Sequence, residues 1–254
     1  MISKRRYLLL AMEAATDTIT EQEGRLMEVR KKLLLLQITD SAFPIGAYSH
    51  SFGLETYIQK GMVKSREEAW NYIRQSIRYS LTFTELLGMR LACQAACRGD
   101  LEEVFKTEQY LLAARTPREV REGSQKLAAR FIKTAGMLLN EEEKPLFARY
   151  GGEGNRHMVN TAYGVFCAAA GIEIREALTC YLYSQVSAMA VNCVKAVPLS
   201  QTDGQQLLAR SHALQEEAVA RAMEADAKLL GLSMPGFDIR CMQHETLYSR
   251  LYMS

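Results

Sequence analysis

Ala177–Val194, ALTCYLYSQVSAMAVNCV, carries no formal charge over its whole length, and what this stretch forms decides the fold. Its length approaches that of a membrane-spanning helix, which needs about 20 predominantly apolar residues. Yet Thr179, Ser184, Gln185, Ser187 and Asn192 are spread over several of its faces. A helix surrounded by other helices accommodates that mixture better than lipid does. The second half, Ala188–Val197, is the best strand candidate in the chain, but it continues a helical pattern that starts near residue 173. Helix is therefore expected, and with it an all-α protein.

Outward from this segment the helix punctuation recurs. Ser65 with Glu68, Asp100 with Glu103, and Thr116 with Glu119 each pair a capping residue with a glutamate three positions on. Pro117 then falls at a first helical position, where its missing N–H costs nothing. Gly61, Gly99, Gly171 and Gly231 stand where helices should stop. Between these marks apolar residues recur at three and four, as in Trp70, Ile73 and Ile77, or Leu127, Phe131 and Leu138. The pattern predicts helices near 24–38, 50–60, 66–81, 85–98, 101–115, 117–139, 141–149, 157–170, 173–196 and 203–230. No sustained period-two alternation and no hairpin dipeptide competes with them. The expected architecture is a single compact helical domain over 24–234, preceded by a loosely attached extension, 1–23, and followed by a tail, 235–254.

Composition narrows the classes of function. The chain has 254 residues, 48% hydrophobic and 24% charged, ordinary values for a globular protein. A net charge of +2 gives no footprint for non-specific nucleic-acid binding. The six cysteines contain no C-x-x-C pair and sit largely in apolar helical runs, which suits reduced thiols and a cytoplasmic location. Lys4-Arg5-Arg6 before Tyr7–Met12 resembles a secretory leader, but Glu13 and Asp17 follow in place of a cleavage site. Neither a membrane nor a nucleic acid is expected as a partner.

Self-contained chemistry is equally hard to place. The histidines, His50, His157, His212 and His244, are far apart and form no H-E-x-x-H or paired E-x-x-H. Cys93 and Cys97 stand one helical turn apart without an evident third ligand. No P-loop occurs, and Gly151-Gly152-Glu153-Gly154 follows no strand, so it reads as a flexible loop instead of a phosphate cradle. No nucleophile elbow or catalytic-cysteine signature is present. The residues therefore predict a protein without catalytic residues, resident metal or cofactor.

Three irregular segments carry more information. Asp40–Glu55, DSAFPIGAYSHSFGLE, is an unusually aromatic loop, with Pro44 fixing Phe43 as extended and Gly46 and Gly53 permitting close backbone approach. It folds back into its own core or forms a recognition surface; the residues leave both open. Lys195–Gln206, KAVPLSQTDGQQ, holds Lys195 as the lone charge ending the neutral run, where it complements the helix dipole or projects a cation towards an acidic partner. The tail ends in Leu247, Tyr248, Leu251 and Tyr252, two apolar pairs at i,i+4 spacing. Covering three or four such side chains is worth roughly 5–10 kcal/mol before ordering costs, so the tail docks on its own domain or inserts into another subunit.

Four blocks in register, DSAFPIGAYSHSFGLE at Asp40–Glu55, ARTPREVRE at Ala114–Glu122, the stretch from Lys195, and HETLYSRL at His244–Leu251, resemble the UreF family of urease accessory proteins. The likeness covers about residues 30–254. Ser200 departs from a commoner glycine, and Tyr252-Met253 from a more basic ending. The resemblance implies a non-enzymatic, homodimeric helical scaffold. It would bridge a UreD/UreH-type accessory protein and the UreG GTPase and couple GTP hydrolysis to nickel insertion into apo-urease. The nucleotide and the nickel would be handled by partner proteins. The matching positions implied as partner-binding are Pro44, Gly46, Tyr48, Glu119, Arg121, Glu122, Lys195, Gln201, His244, Glu245, Tyr248, Arg250 and Leu251. For Glu119, Arg121 and Glu122 a purely structural turn is an equal reading. A rival from another class is a helical-bundle enzyme or cofactor binder with a site along 177–194, anchored by Cys180, Tyr181 and Tyr183. A further alternative is a nickel carrier using His157 or His244.

Overall fold

Helices follow one another with short connections through the whole of the computed structural model, which describes residues 24–47, 50–154 and 156–253. The proposed extension, 1–23, and Tyr48 lie outside the described residues. Helix α1 covers 24–39 and α2 covers Leu54–Gln59. Arg66–Ser76 (α3) runs through a π-helical stretch, Ile77–Leu86, straight into α4, Leu87–Cys97. Then come α5 (Leu101–Ala114), α6 (Arg118–Ala135), α7 (Lys144–Glu153), α8 (Val159–Ala169), α9 (Ile174–Ala196), α10 (Gln201–Glu224) and α11 (Pro235–His244). Among the described residues there is no strand, so the all-α expectation holds and Ala188–Ala196 is helical. No described helix is long and apolar enough to cross a membrane.

The capping signals work as the sequence predicts at Ser65 and Asp100, and Ser200 adds a third cap. Ser65 accepts from the Glu68 amide, Asp100 from Glu103, and Ser200 from Asp203 in a reciprocal capping box. The Thr116 expectation fails. Pro117 itself occupies the N-cap position without a side-chain cap, and Glu119 is committed elsewhere. Other boundaries differ as well. The expected break at 82–84 is instead a wide turn, in which the Thr82 hydroxyl donates to the Ile77 carbonyl at 2.6 Å. That turn leaves the Phe83 carbonyl to accept the Gly231 amide, a tie that only the tertiary fold supplies. The glycine cluster is not a loop: Gly151 and Gly152 extend α7, and a β-carbon at Gly151 would run into Ile132.

The helix enclosed on all sides is α8, not α9. Every residue from Val159 to Cys167 is buried, with α4, α6, α7, α5 and α9 packed around it. Gly164 lets α4 approach so closely that a β-carbon there would collide with the Met89 carbonyl oxygen. By contrast α9 buries Leu178, Leu182, Val186 and Ala190 and leaves Tyr183 and Val191 exposed. An aromatic cluster forms the centre: Phe131 stacks on Tyr163 at 3.9 Å and meets Phe147 and Phe166 edge-on.

Three buried charged side chains find partners in place. Glu108, 4% exposed, accepts from Tyr150, Thr161, the Met158 amide and the His157 ring, four partners that meet the demand of a carboxylate taken out of water. Glu85 pairs with Arg115 and accepts from Tyr181. Arg90 reaches the Met223 and Ala225 carbonyls at 2.6 and 2.8 Å and so closes the C-terminus of α10.

Candidate functional site

The aromatic first loop is divided between the two readings the sequence left open. Phe43 and Ile45 turn inward, Phe43 tilting on Phe131 at 5.9 Å, whereas Pro44 stays exposed. Gly46 has φ +84°, and the Arg130 guanidinium lies where its β-carbon would be, donating to the Ile45 carbonyl at 3.2 Å. His50 is buried, stacks on Phe52 and passes its carbonyl to Asn192 of α9. Burial, with Lys126 and Arg130 nearby, holds its imidazole below the ordinary histidine value. Gly123 of α6 makes room for that ring.

The loop ends by entering α2, and there it meets the tail. Cys241 of α11 packs where a β-carbon of Gly53 would stand, and Gly53 takes φ +84°. This contact puts α11 across α2 and the start of α6. His244, the last residue of α11, is fully buried at 0% exposure. Its Nδ1 lies 2.7 Å from Glu119 Oε2 on α6, and its Nε2 lies 3.1 Å from Glu55 Oε2 on α2. The ring thus bridges two carboxylates carried by different helices. The two nitrogens point to opposite sides of the ring and cannot converge on one ion. Among the described residues no group of three such side chains is arranged to hold a metal.

Both carboxylates continue the chain of contacts outward. Glu119 Oε1 receives Arg250 at 2.7 Å. Glu55, 5% exposed, accepts the Leu251 amide at 2.7 Å and the Tyr252 amide at 3.2 Å. Arg118 pairs with Glu245 at 3.1 Å and Gln59 donates to the Ser249 carbonyl at 2.8 Å. Past His244 the tail is not helical, although its apolar pairs stand at i,i+4 spacing. A helix would direct the 251 and 252 amides to the 247 and 248 carbonyls; here a buried carboxylate takes them instead. Leu247 is half-buried, but Tyr248 is 106% and Leu251 78% exposed. The tail thus docks on its own domain through polar groups and turns part of its apolar surface outward. Tyr252 lies partly buried, and burial together with the Glu55 charge holds its phenol above the usual range.

Of the residues singled out from the sequence, Glu119, His244, Glu245, Arg250 and Leu251 come together here, with Tyr248 beside them. His244 presents no surface in this conformation, so its contribution is to join α2, α6 and the tail from inside. Arg121 turns back to the Arg115 and Thr116 carbonyls at 2.7 and 3.2 Å, which closes the end of α5, and Glu122 is exposed. Lys195 and Gln201 are exposed at the α9–α10 connection, and no described carboxylate pairs with Lys195. Glu55 and Arg118 escaped sequence reasoning. The one available signal was an acidic residue on the inward side of a short helix that closes a motif block.

The rival anchors along 177–194 are separated. Tyr181 is buried on Glu85, while Cys180 and Tyr183 line an open groove of about 590 Å³ with Arg175, His212 and Gln215. His157, the other histidine considered for nickel, is bound to Glu108 in the core.

The cluster unites segments that the first, second and fourth blocks of the sequence supply. The UreF family model matches residues 63–212. The chain is 35% identical over 233 residues to the urease accessory protein UreF of Bacillus sp. (strain TB-90), covering 89% of this chain and all of that protein. It is 34% identical to the UreF of Actinobacillus pleuropneumoniae serotype 5b (strain L20), covering 87% and 97%, and 32% identical to that of Paenarthrobacter aurescens (strain TC1), covering 90% and 100%. The chain belongs to the UreF family. In this UreF-family chain the contacts between the tail and α2 lie outside the segment, 63–212, that the family model matches.

Proposed function

We propose that this chain is a non-enzymatic scaffold of urease maturation, joining a UreD/UreH-type accessory protein to the UreG GTPase and coupling GTP hydrolysis to nickel insertion into apo-urease. One observation carries the reading at the level of this chain: an ordered tail, tied down by buried charge, that holds Tyr248 and Leu251 in solvent. Apolar side chains so displayed lose free energy until a partner covers them. The neighbouring Arg250 and the Arg118–Glu245 pair give such a contact direction and specificity more than affinity. Nickel and GTP are cargo and fuel handled by the partner proteins. Pairing of two copies belongs to the same reading, and Tyr183 and Val191, exposed on α9, are apolar surface available to it.

The test is binding of the UreD/UreH-type partner to the full chain and to a chain lacking Phe237–Ser254. Loss of the complex in the shortened chain is expected. Undiminished binding would remove the tail from the interface and refute the assignment.

A further inference from the structure

Two free thiols on α4 have no part in the scaffold reading. Cys97, the last residue of α4, is exposed. Cys93, one turn earlier, is buried at 2% exposure, its amide beside Gly164 of α8. Burial and the adjoining Cys97 thiol push the Cys93 thiol up to about 12, so it stays protonated and is no first target for an oxidant. Cys97 is the thiol that solvent reaches. A sulfenic acid formed there has a second thiol one helical turn away, the arrangement of an oxidised cysteine and its resolving partner.

Helix geometry sets what closing a bridge requires. Residues four apart have α-carbons about 6.2 Å apart, inside the range of about 4.4–6.8 Å found in disulfides. Their β-carbons stand about 5–6 Å apart, against about 3.5–4.5 Å in a disulfide. Cys97 must therefore move by roughly 1–2 Å. In mid-helix that shift would disturb hydrogen bonds on both sides. Here it falls on the last turn, closed only by the Arg98, Gly99 and Asp100 amides on the Ala95 and Ala96 carbonyls, with Gly99 at φ +73°. A bridge closed under such strain is readily reduced again.

We propose that Cys97 and Cys93 are a reversible oxidation site, in which a peroxide oxidises Cys97 and Cys93 resolves the product as an intrahelical disulfide. In the first step the Cys97 thiolate sulfur attacks the peroxide, the O–O bond breaks, and a sulfenic acid and hydroxide result. In the second the Cys93 sulfur bonds to the Cys97 sulfur, the S–O bond breaks, and the Cys93 proton leaves with the hydroxyl as water. The sulfurs lose two electrons in all, and the peroxide gains them. Closure loosens the last turn of α4 and the connection in which Asp100 caps α5.

The test treats the full chain with hydrogen peroxide and reads intact mass, non-reducing peptide maps and hydrogen exchange. Expected are the loss of two hydrogens and one Cys93–Cys97 bridge that a dithiol reverses. Exchange at the Asp100 and Glu103 amides should become about tenfold faster. In Cys93→Ala the reaction should stop at a Cys97 sulfenic acid, trapped by dimedone; in Cys97→Ala, Cys93 should stay reduced. A parent chain that keeps all its thiols would overturn the proposal, and this needs no substitution to decide. A bridge joining other cysteines or two chains would do the same, as would sulfenic acid trapped as fully in the parent as in Cys93→Ala. Oxidation of Cys93 in Cys97→Ala would overturn the assigned order, and unchanged exchange in the bridged chain the loosening of the turn.

Discussion

Replacing His244 by alanine is the sharpest probe of the buried junction. The ring is wholly enclosed, and its two nitrogens bridge carboxylates whose side chains are only 6% and 15% exposed. Without it Glu55 and Glu119 face a void, each short of a partner, and α11 loses its tie to two helices at once. Breaking a buried charged contact by removing one partner costs about 3–5 kcal/mol. Water can enter from the side of Arg250, which is 41% exposed, and this favours the lower end, about 3 kcal/mol. For a domain of this size each kcal/mol moves the melting temperature by about 2–4 °C, so a fall of about 6–12 °C is expected. Urea unfolding followed by circular dichroism gives the free energy, and a thermal scan gives the shift. Arg250→Ala provides the contrast. It removes the outer contact of the same Glu119, partly in solvent, where such pairs contribute about 0–1 kcal/mol. A loss below about 1 kcal/mol for His244→Ala, or equal losses for the two variants, would refute the assignment of His244 as the internal bridge.

Three further outcomes are expected. Gly164→Ala should cost about 3 kcal/mol, at the upper end for overpacking, since its new methyl meets the Met89 backbone and α4 cannot retreat without opening the core; an unchanged urea midpoint would contradict the close α4–α8 approach. His50 is held below its ordinary value near 6.5, so the unfolded chain takes up its proton first and stability, full above that value, is lost as pH falls below it. Urea midpoints between pH 7 and 5.5 should therefore decline less steeply in His50→Gln than in the parent, and parallel declines would refute the point. Lys195→Ala, at an exposed end of α9, should leave the melting temperature within about 1 °C yet weaken UreG recruitment in a pull-down; normal recruitment would remove Lys195 from that interface.

Local signals wrote much of this fold into the sequence. Ser65, Asp100 and Ser200 cap helices because each needs only an amide a few residues ahead, and Gly61, Gly99 and Gly171 mark stops with left-handed backbone. The failures share a cause. Thr116 with Glu119 has the spacing of a capping box, but the Glu119 carboxylate finds a histidine and an arginine more than a hundred residues away. The π-helical stretch at Ile77–Leu86 contains no breaker, and the tie that uses its freed carbonyl comes from Gly231.

The candidate site was half legible for the same reason. Glu119, His244, Arg250 and Leu251 stand in blocks that resemble one family, so their importance could be inferred from residue type and order. Which of them faces inward could not. By itself the sequence determined an all-helical chain, its main helix boundaries and the family to which it belongs, since these depend on short-range spacing and on motif order. Only the tertiary structure decided that α8 and not α9 is the enclosed helix, that His244 is an internal bridge, and that Glu55 accepts the Leu251 and Tyr252 amides. Those outcomes depend on which distant groups share the same buried volume, where an unmatched charge costs several kcal/mol and outweighs the fraction of a kcal/mol by which local preferences differ.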